Sequence, residues 1–134
     1  SDIWKNRRGE VTELFELVGE TVTINEEQMT SATALCACGI AFFLRAIRAA
    51  SQGGNEIDFH SSEALKMAAQ TAKGAASLLI ANQSRPEDEI DKVTSPKGCT
   101  IAGLNEMEHN GFSSSFIKGI TVSAKQAKAL YKED

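Results

Sequence analysis

At 134 residues the chain is long enough for one domain with its own core. Hydrophobic residues at 42% and charged residues at 24% fit a soluble globular protein. The net charge of −4 and pI near 5.2 exclude the basic face of a nucleic-acid binder. No apolar run approaches the roughly 20 residues of a membrane span, and the opening SDIWKNRRGE lacks the apolar core of a signal peptide. Three cysteines, Cys36, Cys38 and Cys99, are an odd number at spacings that suit no framework, so reduced thiols in a cytoplasmic protein are the simplest reading.

In chain order, EVTELFELVG puts Val11, Leu14, Phe15 and Val18 on one helical face, with Gly19 as a stop. ETVTIN then alternates Val22 and Ile24 with threonines and predicts one short strand. A lone strand cannot satisfy its own backbone, and the chain starts at Ser1 without an initiator methionine. Both features suggest that sequence is missing upstream. Asn25 is a candidate N-cap for a helix from Glu26 to the stop at Gly53-Gly54, with Gly39 as a point of weakness. Ser61 or Ser62 is expected to cap the next helix, striped by Leu65, Ala68, Ala69, Ala72, Ala76 and Leu79. Pro86 and the acidic Glu87 to Glu89 open a short helix ending near Val93. A further helix from Cys99 or Thr100 carries Ile101, Leu104 and Met107 and stops at Gly111. Ser113 is expected to cap the last helix, which has Phe116, Ile117, Ile120, Ala124, Ala127 and Tyr131 on one side and Lys118, Lys125 and Lys128 on the other. The fold class is all-α, a helical bundle preceded by a helix-strand remnant.

The segment VTSPKGCT carries the most chemistry. The first amides of the helix after it have no intrahelical acceptor, and with the aligned peptide dipoles they favour an anion by about 0.3–1 kcal/mol, or ~2 when partly buried. Gly98 permits close approach to the backbone, Ser95 and Thr100 offer hydroxyl donors, and Lys97 adds a positive charge. A carboxylate suits this set; a triphosphate, with one lysine and no magnesium-binding pair, does not. The plainer alternative is that Ser95 or Thr94 caps a helix and Pro96-Lys97-Gly98 merely turns the chain. Elsewhere, Cys36 and Cys38 form C-x-C, but with only the distant His60 and His109 as partners they read as small buried side chains, and no metal is expected. His109 suits a helix C-terminus.

DKVTSPKGCTIAGLNEMEHNGF resembles the signature of the pyrroline-5-carboxylate reductase family, through Asp91, Val93, Thr94, Ser95, Pro96, Gly98, Thr100, Gly103, Leu104, Glu108, Gly111 and Phe112. TALCACGIAFFL, AAQTAKGAASLL and VTELFELVGETVTINEE are similar to other stretches of that family, so the resemblance covers nearly the whole chain. It implies a bundle of the 6-phosphogluconate dehydrogenase C-terminal-domain-like type, intertwined as a homodimer, over residues 28–134. Residues 1–27 would be the C-terminal remnant of an NAD(P)-binding Rossmann domain. The parent enzyme would reduce 1-pyrroline-5-carboxylate to L-proline with NADPH or NADH, bound mainly by the absent domain. The substrate carboxylate would lie on Ser95, Gly98, the Cys99 amide and Thr100, with Lys97 adding attraction. Neither nucleic acid nor membrane is an implied partner, and some members of the family build larger rings from dimers. This chain by itself would be inactive and hold no cofactor.

Two departures stand out. Lys97 occupies a position where the family pattern has glycine, and Cys36 to Ile40 reads CACGI where a proline is usual, which predicts a more continuous helix. Two other readings remain: a stand-alone helical dimer module keeping only an anion-binding loop, and a reductase of the same two-domain plan acting on another small acid.

Overall fold

The computed structural model describes residues 2–130, with side chains from Arg7 onward, and the described residues form six helices and no strand. Helix α1 spans Asp2–Glu16 and ends before Gly19. Residues 20–25 are irregular, which corrects the predicted strand. Val22 is 78% exposed, and no other strand among the described residues offers the backbone partners that the alternation would need.

Helix α2 runs unbroken over Glu26–Glu56. Asn25 precedes it in an extended conformation, and the Gln28 side chain accepts the Asn25 N–H at 3.0 Å, half of a capping box. A single turn of α-helix, Met29–Ala32, leads into a π-helical stretch, Thr33–Cys38, before the regular helix resumes at Gly39. At the junction the Thr33 hydroxyl donates to the Met29 carbonyl at 3.0 Å, a back-bond that competes with regular i→i−4 bonding. The continuous helix expected from the missing proline is therefore present, with its turns widened ahead of Gly39. The helix does not stop at Gly53-Gly54. A Cβ on Gly54 would lie 2.9 Å from the Ala64 Cβ, so this glycine serves the close approach of the next helix.

Helix α3, Ser61–Asn82, folds back along α2. Its N-cap is His60, not Ser61 or Ser62, and Asn55 reaches across the corner to the Ser61 hydroxyl at 2.8 Å. The expected alanine stripe divides. Ala64 is buried and Ala68 and Ala72 half-buried against α2, whereas Leu65, Ala69 and Ala76 are exposed. Helix α4, Pro86–Lys92, packs on α3 and on no other helix among the described residues. Helix α5, Cys99–His109, ends at Asn110 and Gly111, whose φ of +78° is the left-handed stop that glycine allows. Helix α6 spans Phe112–Leu130. Ser113 lies inside it and spends its hydroxyl on Glu108 at 2.6 Å instead of capping. Tyr131 lies outside the described residues.

Helix α6 packs across the π-helical stretch of α2 and buries Ala34 and Ala127. Phe116 sits at the centre of an aromatic group, with ring centroids 5.3 Å from Phe43, 5.9 Å from Phe112 and 6.2 Å, edge-on, from Phe42. Such pairs contribute about 0.5–1.5 kcal/mol each beyond area burial. The opposite flank of α6 carries Lys118, Lys125 and Lys128 into solvent, as its periodicity predicts.

Burial inside this one chain is sparse. The buried hydrophobic side chains are Ala34, Ala64 and Ala127, and no large side chain is fully buried among the described residues. The accessible surface is 11485 Å², against roughly 6,800 Å² for a compact monomer of this mass. Leu35, Ile40, Phe43 and Leu44 on α2 are each more than half exposed. Cys36 is likewise exposed and Cys38 half-buried, which corrects the expectation of buried thiols within this chain. Helix α2 is also long and apolar enough to cross a membrane by length and composition, with a mean hydropathy of 1.6 over 18 residues. That corrects the reading that no apolar run comes close, which missed it because Arg45 and Arg48 interrupt the apolar letters.

Candidate functional site

The site-bearing loop joins two outlying helices. Among the described residues, helix α4 touches only α3 and α5 touches only α6. The loop is anchored at its start, where the Thr94 hydroxyl donates to the Ile90 carbonyl at 2.7 Å and the Thr94 N–H to the Asp91 carbonyl at 3.3 Å. Thr94 thus finishes α4 instead of capping α5.

Ser95 to Gly98 form a β-turn closed by the Gly98 N–H donating to the Ser95 carbonyl at 3.0 Å. Pro96 takes the first central position and Lys97 the second, with φ +58°. A left-handed second central residue after proline is the pattern of a type II turn, where glycine is favoured. This geometry accounts for the glycine of the family pattern at position 97. Lysine there carries a steric cost of about 1–2 kcal/mol. The residue is exposed, two positions ahead of the first residue of the next helix.

Gly98 is the N-cap of α5, in an extended conformation at φ −77° and ψ 170°. A Cβ at Gly98 would lie 2.5 Å from the Ser95 hydroxyl oxygen and 3.0 Å from the Ser95 carbonyl oxygen, so a side chain at position 98 displaces the Ser95 hydroxyl from where it stands. The Ser95 hydroxyl therefore lies beside Gly98, the N-cap of α5, yet no side chain caps that helix. Among the described residues neither Ser95 nor Thr100 spends its hydroxyl on an intramolecular hydrogen bond. Ser95, Lys97 and Cys99 are exposed, while Gly98 and Thr100 are half-buried. Ser95, Gly98, Cys99 and Thr100 are thus brought together, with open amides, two uncommitted hydroxyls and a nearby cation. A planar anion of carboxylate size is the ligand this set can hold.

One residue near the site escaped sequence reasoning. Glu89 belongs to the acidic start of α4, and in the fold its Oε1 accepts from Ser84 Oγ at 2.6 Å, Lys92 Nζ at 2.8 Å and Asn82 Nδ2 at 3.2 Å. These bonds, Lys92 foremost, then Ser84 and Asn82, lower its pKa to about 2. The signal lay in the polar residues of NQS just before Pro86, whose partner only the fold reveals.

The family model described as pyrroline-5-carboxylate reductase dimerisation matches residues 26–130. Pyrroline-5-carboxylate reductase 1 of Dictyostelium discoideum is 60% identical over 134 residues, which cover 99% of this chain and 24% of that protein. A 1-pyrroline-5-carboxylate reductase structure from Streptococcus pyogenes superposes with a TM-score of 0.84 at 31% identity, over 90% of this chain and 47% of that one. A Plasmodium falciparum pyrroline carboxylate reductase, solved with NADP bound, shares the fold at a TM-score of 0.83 and 24% identity, over 91% of this chain and 47% of its own. The chain therefore spans less than half the length of these relatives.

Proposed function

The chain belongs to the pyrroline-5-carboxylate reductase dimerisation family, and from that premise we propose that it is the dimerisation and substrate-binding part of an enzyme that reduces 1-pyrroline-5-carboxylate to L-proline. Residues 28–134 form that part, and residues 1–27 are the end of a nucleotide-binding domain. NADPH or NADH supplies the hydride when bound by the rest of the enzyme; the residues here include no glycine-rich dinucleotide loop to cradle it. The enzyme works in the cytoplasm.

The observation that carries the reading is the Ser95 hydroxyl held beside Gly98 at the uncapped start of α5. The carboxylate of the cyclic imine accepts hydrogen bonds there from the Cys99 and Thr100 amides and the Ser95 hydroxyl, and Lys97 adds long-range attraction. The Thr100 hydroxyl lies toward the ring nitrogen. Hydride transfer to an imine needs the acceptor carbon held at about 3–3.5 Å from the donor, so a positioning loop is itself catalytic equipment. In a reductase carrying this domain, Thr100→Val is expected to raise KM for the imine and lower turnover while cofactor binding stays intact. Unchanged steady-state kinetics would sink the assignment.

A homodimer is part of the same proposal. The apolar surface on α2 and α3 meets a second copy rather than lipid or nucleic acid, and larger rings are built from such dimers. The excess exposure of about 4,600 Å² over a compact monomer is several times the ~800 Å² per partner of an ordinary interface. A dimer alone, without the nucleotide-binding half, is expected to show no imine-dependent oxidation of NADPH.

A further inference from the structure

We infer that Glu89 is a positioning residue for the substrate loop: it locks the short helix α4 to the end of α3 and so sets where Ser95 stands beside the start of α5. This rests on the carboxylate reading of the loop. The argument is mechanical. Helix α4 has seven residues and, among the described residues, touches no other element than α3. Between the two helices runs an open apolar groove lined by Gly74, Leu78 and Leu79 on one side and Pro86, Ile90 and Val93 on the other. Leu78 and Val93 remain 46% and 65% exposed, so apolar packing alone fixes the angle of α4 loosely.

Polar bonds fix it instead. Asn82 is the last residue of α3, and Ser84 lies in the connection after it. Both donate to the same oxygen of Glu89, one turn inside α4, and Lys92 donates to that oxygen from the far end of the helix. The Glu89 side chain is only 12% exposed. The next residue, Ile90, supplies the carbonyl that receives the Thr94 hydroxyl, and Thr94 precedes Ser95. The line of force therefore runs from α3 through Glu89, α4 and Thr94 to Ser95. A tilt of α4 strains the Ser95–Gly98 turn that sets the hydroxyl beside the start of α5, because α5 is held at the same time by its packing on α6. Displacements near 1 Å in a positioning element can cost about 100-fold in rate, so a partial loosening has room to be felt.

The test uses a reductase carrying this domain, with imine and cofactor varied separately and melting recorded for each variant. Ser84→Ala, Glu89→Gln and Thr94→Val are expected to raise KM for the imine about five- to tenfold, well inside the range for misplacement, and to leave KM for the cofactor unchanged. Thr94→Ser, which keeps the hydroxyl, restores the imine KM. The Ser84→Ala/Thr94→Val pair is less than additive, because both act on one path. Should Glu89→Gln fail to fold, Ser84→Ala and the Thr94 pair carry the test. Unchanged imine KM in these variants, with Thr100→Val impaired, overturns the positioning role and leaves the substrate site standing. If Thr100→Val is silent too, the substrate reading itself fails. Equal rises in both KM values that track melting temperature would reduce Glu89 to general stability and overturn the proposal.

Discussion

The α2–α3 hairpin and the corner around α4 are built on opposite plans. The hairpin is long, apolar and left open: Leu35, Ile40 and Leu44 are each more than half exposed, and its two helices meet closely at small residues such as Gly54 and Ala64. The corner is short and polar, and it completes itself, since Asn82, Ser84, Lys92 and Thr94 all find partners within fifteen residues. A region that leaves its hydrophobic surface exposed is finished by another molecule, whereas a region that satisfies its own polar groups can hold a fixed geometry for a ligand. One half of the domain is made for assembly and the other for precision.

The strongest way to break the contrast is to charge the open half. Ile40→Asp, at a position 64% exposed in the single chain, is expected to abolish the dimer and leave little folded protein, because obligate dimers seldom have a stable monomer. Light scattering that finds a compact, folded monomer, for this variant or for the unaltered chain, would refute the assembly half of the comparison. In the precise half, Gly98→Ala drives a Cβ to 2.5 Å from the Ser95 hydroxyl. We expect a rise of at least about tenfold in KM for the imine with melting nearly unchanged, and a kinetically normal variant would mean that Ser95 need not stand there. Gly54→Val crowds Ala64 and should cost about 1–3 kcal/mol in denaturant unfolding without a selective effect on the imine.

The smallest effect concerns acid. Glu89 is held at about 2 from an ordinary value of 4.5. A depressed carboxyl contributes stability in full above its unfolded pKa and loses it as pH falls toward its folded pKa. The contribution should therefore fade between pH 4.5 and about 2. Glu89→Gln should flatten that part of a pH-melting curve, and an unaltered acid limb would show that the three bonds to Glu89 are not maintained in solution.

Much of this was legible in the letters. Pro86 and the acidic turn after it, the start of α5 at Cys99 and the stop at Gly111 all act locally, within one turn of backbone, and the structure follows them. What sequence misjudged depends on neighbours. Val22 and Ile24 alternate like a strand, but no strand among the described residues pairs with them. Gly54 looked like a stop and is instead a point of close approach. Ser113 looked like a cap, but Glu108 takes its hydroxyl first. The loop residues Ser95, Gly98 and Thr100 were visible as a set, whereas the left-handed backbone of Lys97 and the bonds to Glu89 required the folded corner.

Lys97 has one more consequence. An exposed lysine at the tip of a tight turn, followed by glycine, is a natural cleavage point for trypsin. The bond after it lies within the groups assigned to the carboxylate. Ligand occupancy should therefore be readable as protection of a single peptide bond, and the loop carries its own footprinting reporter without any added label.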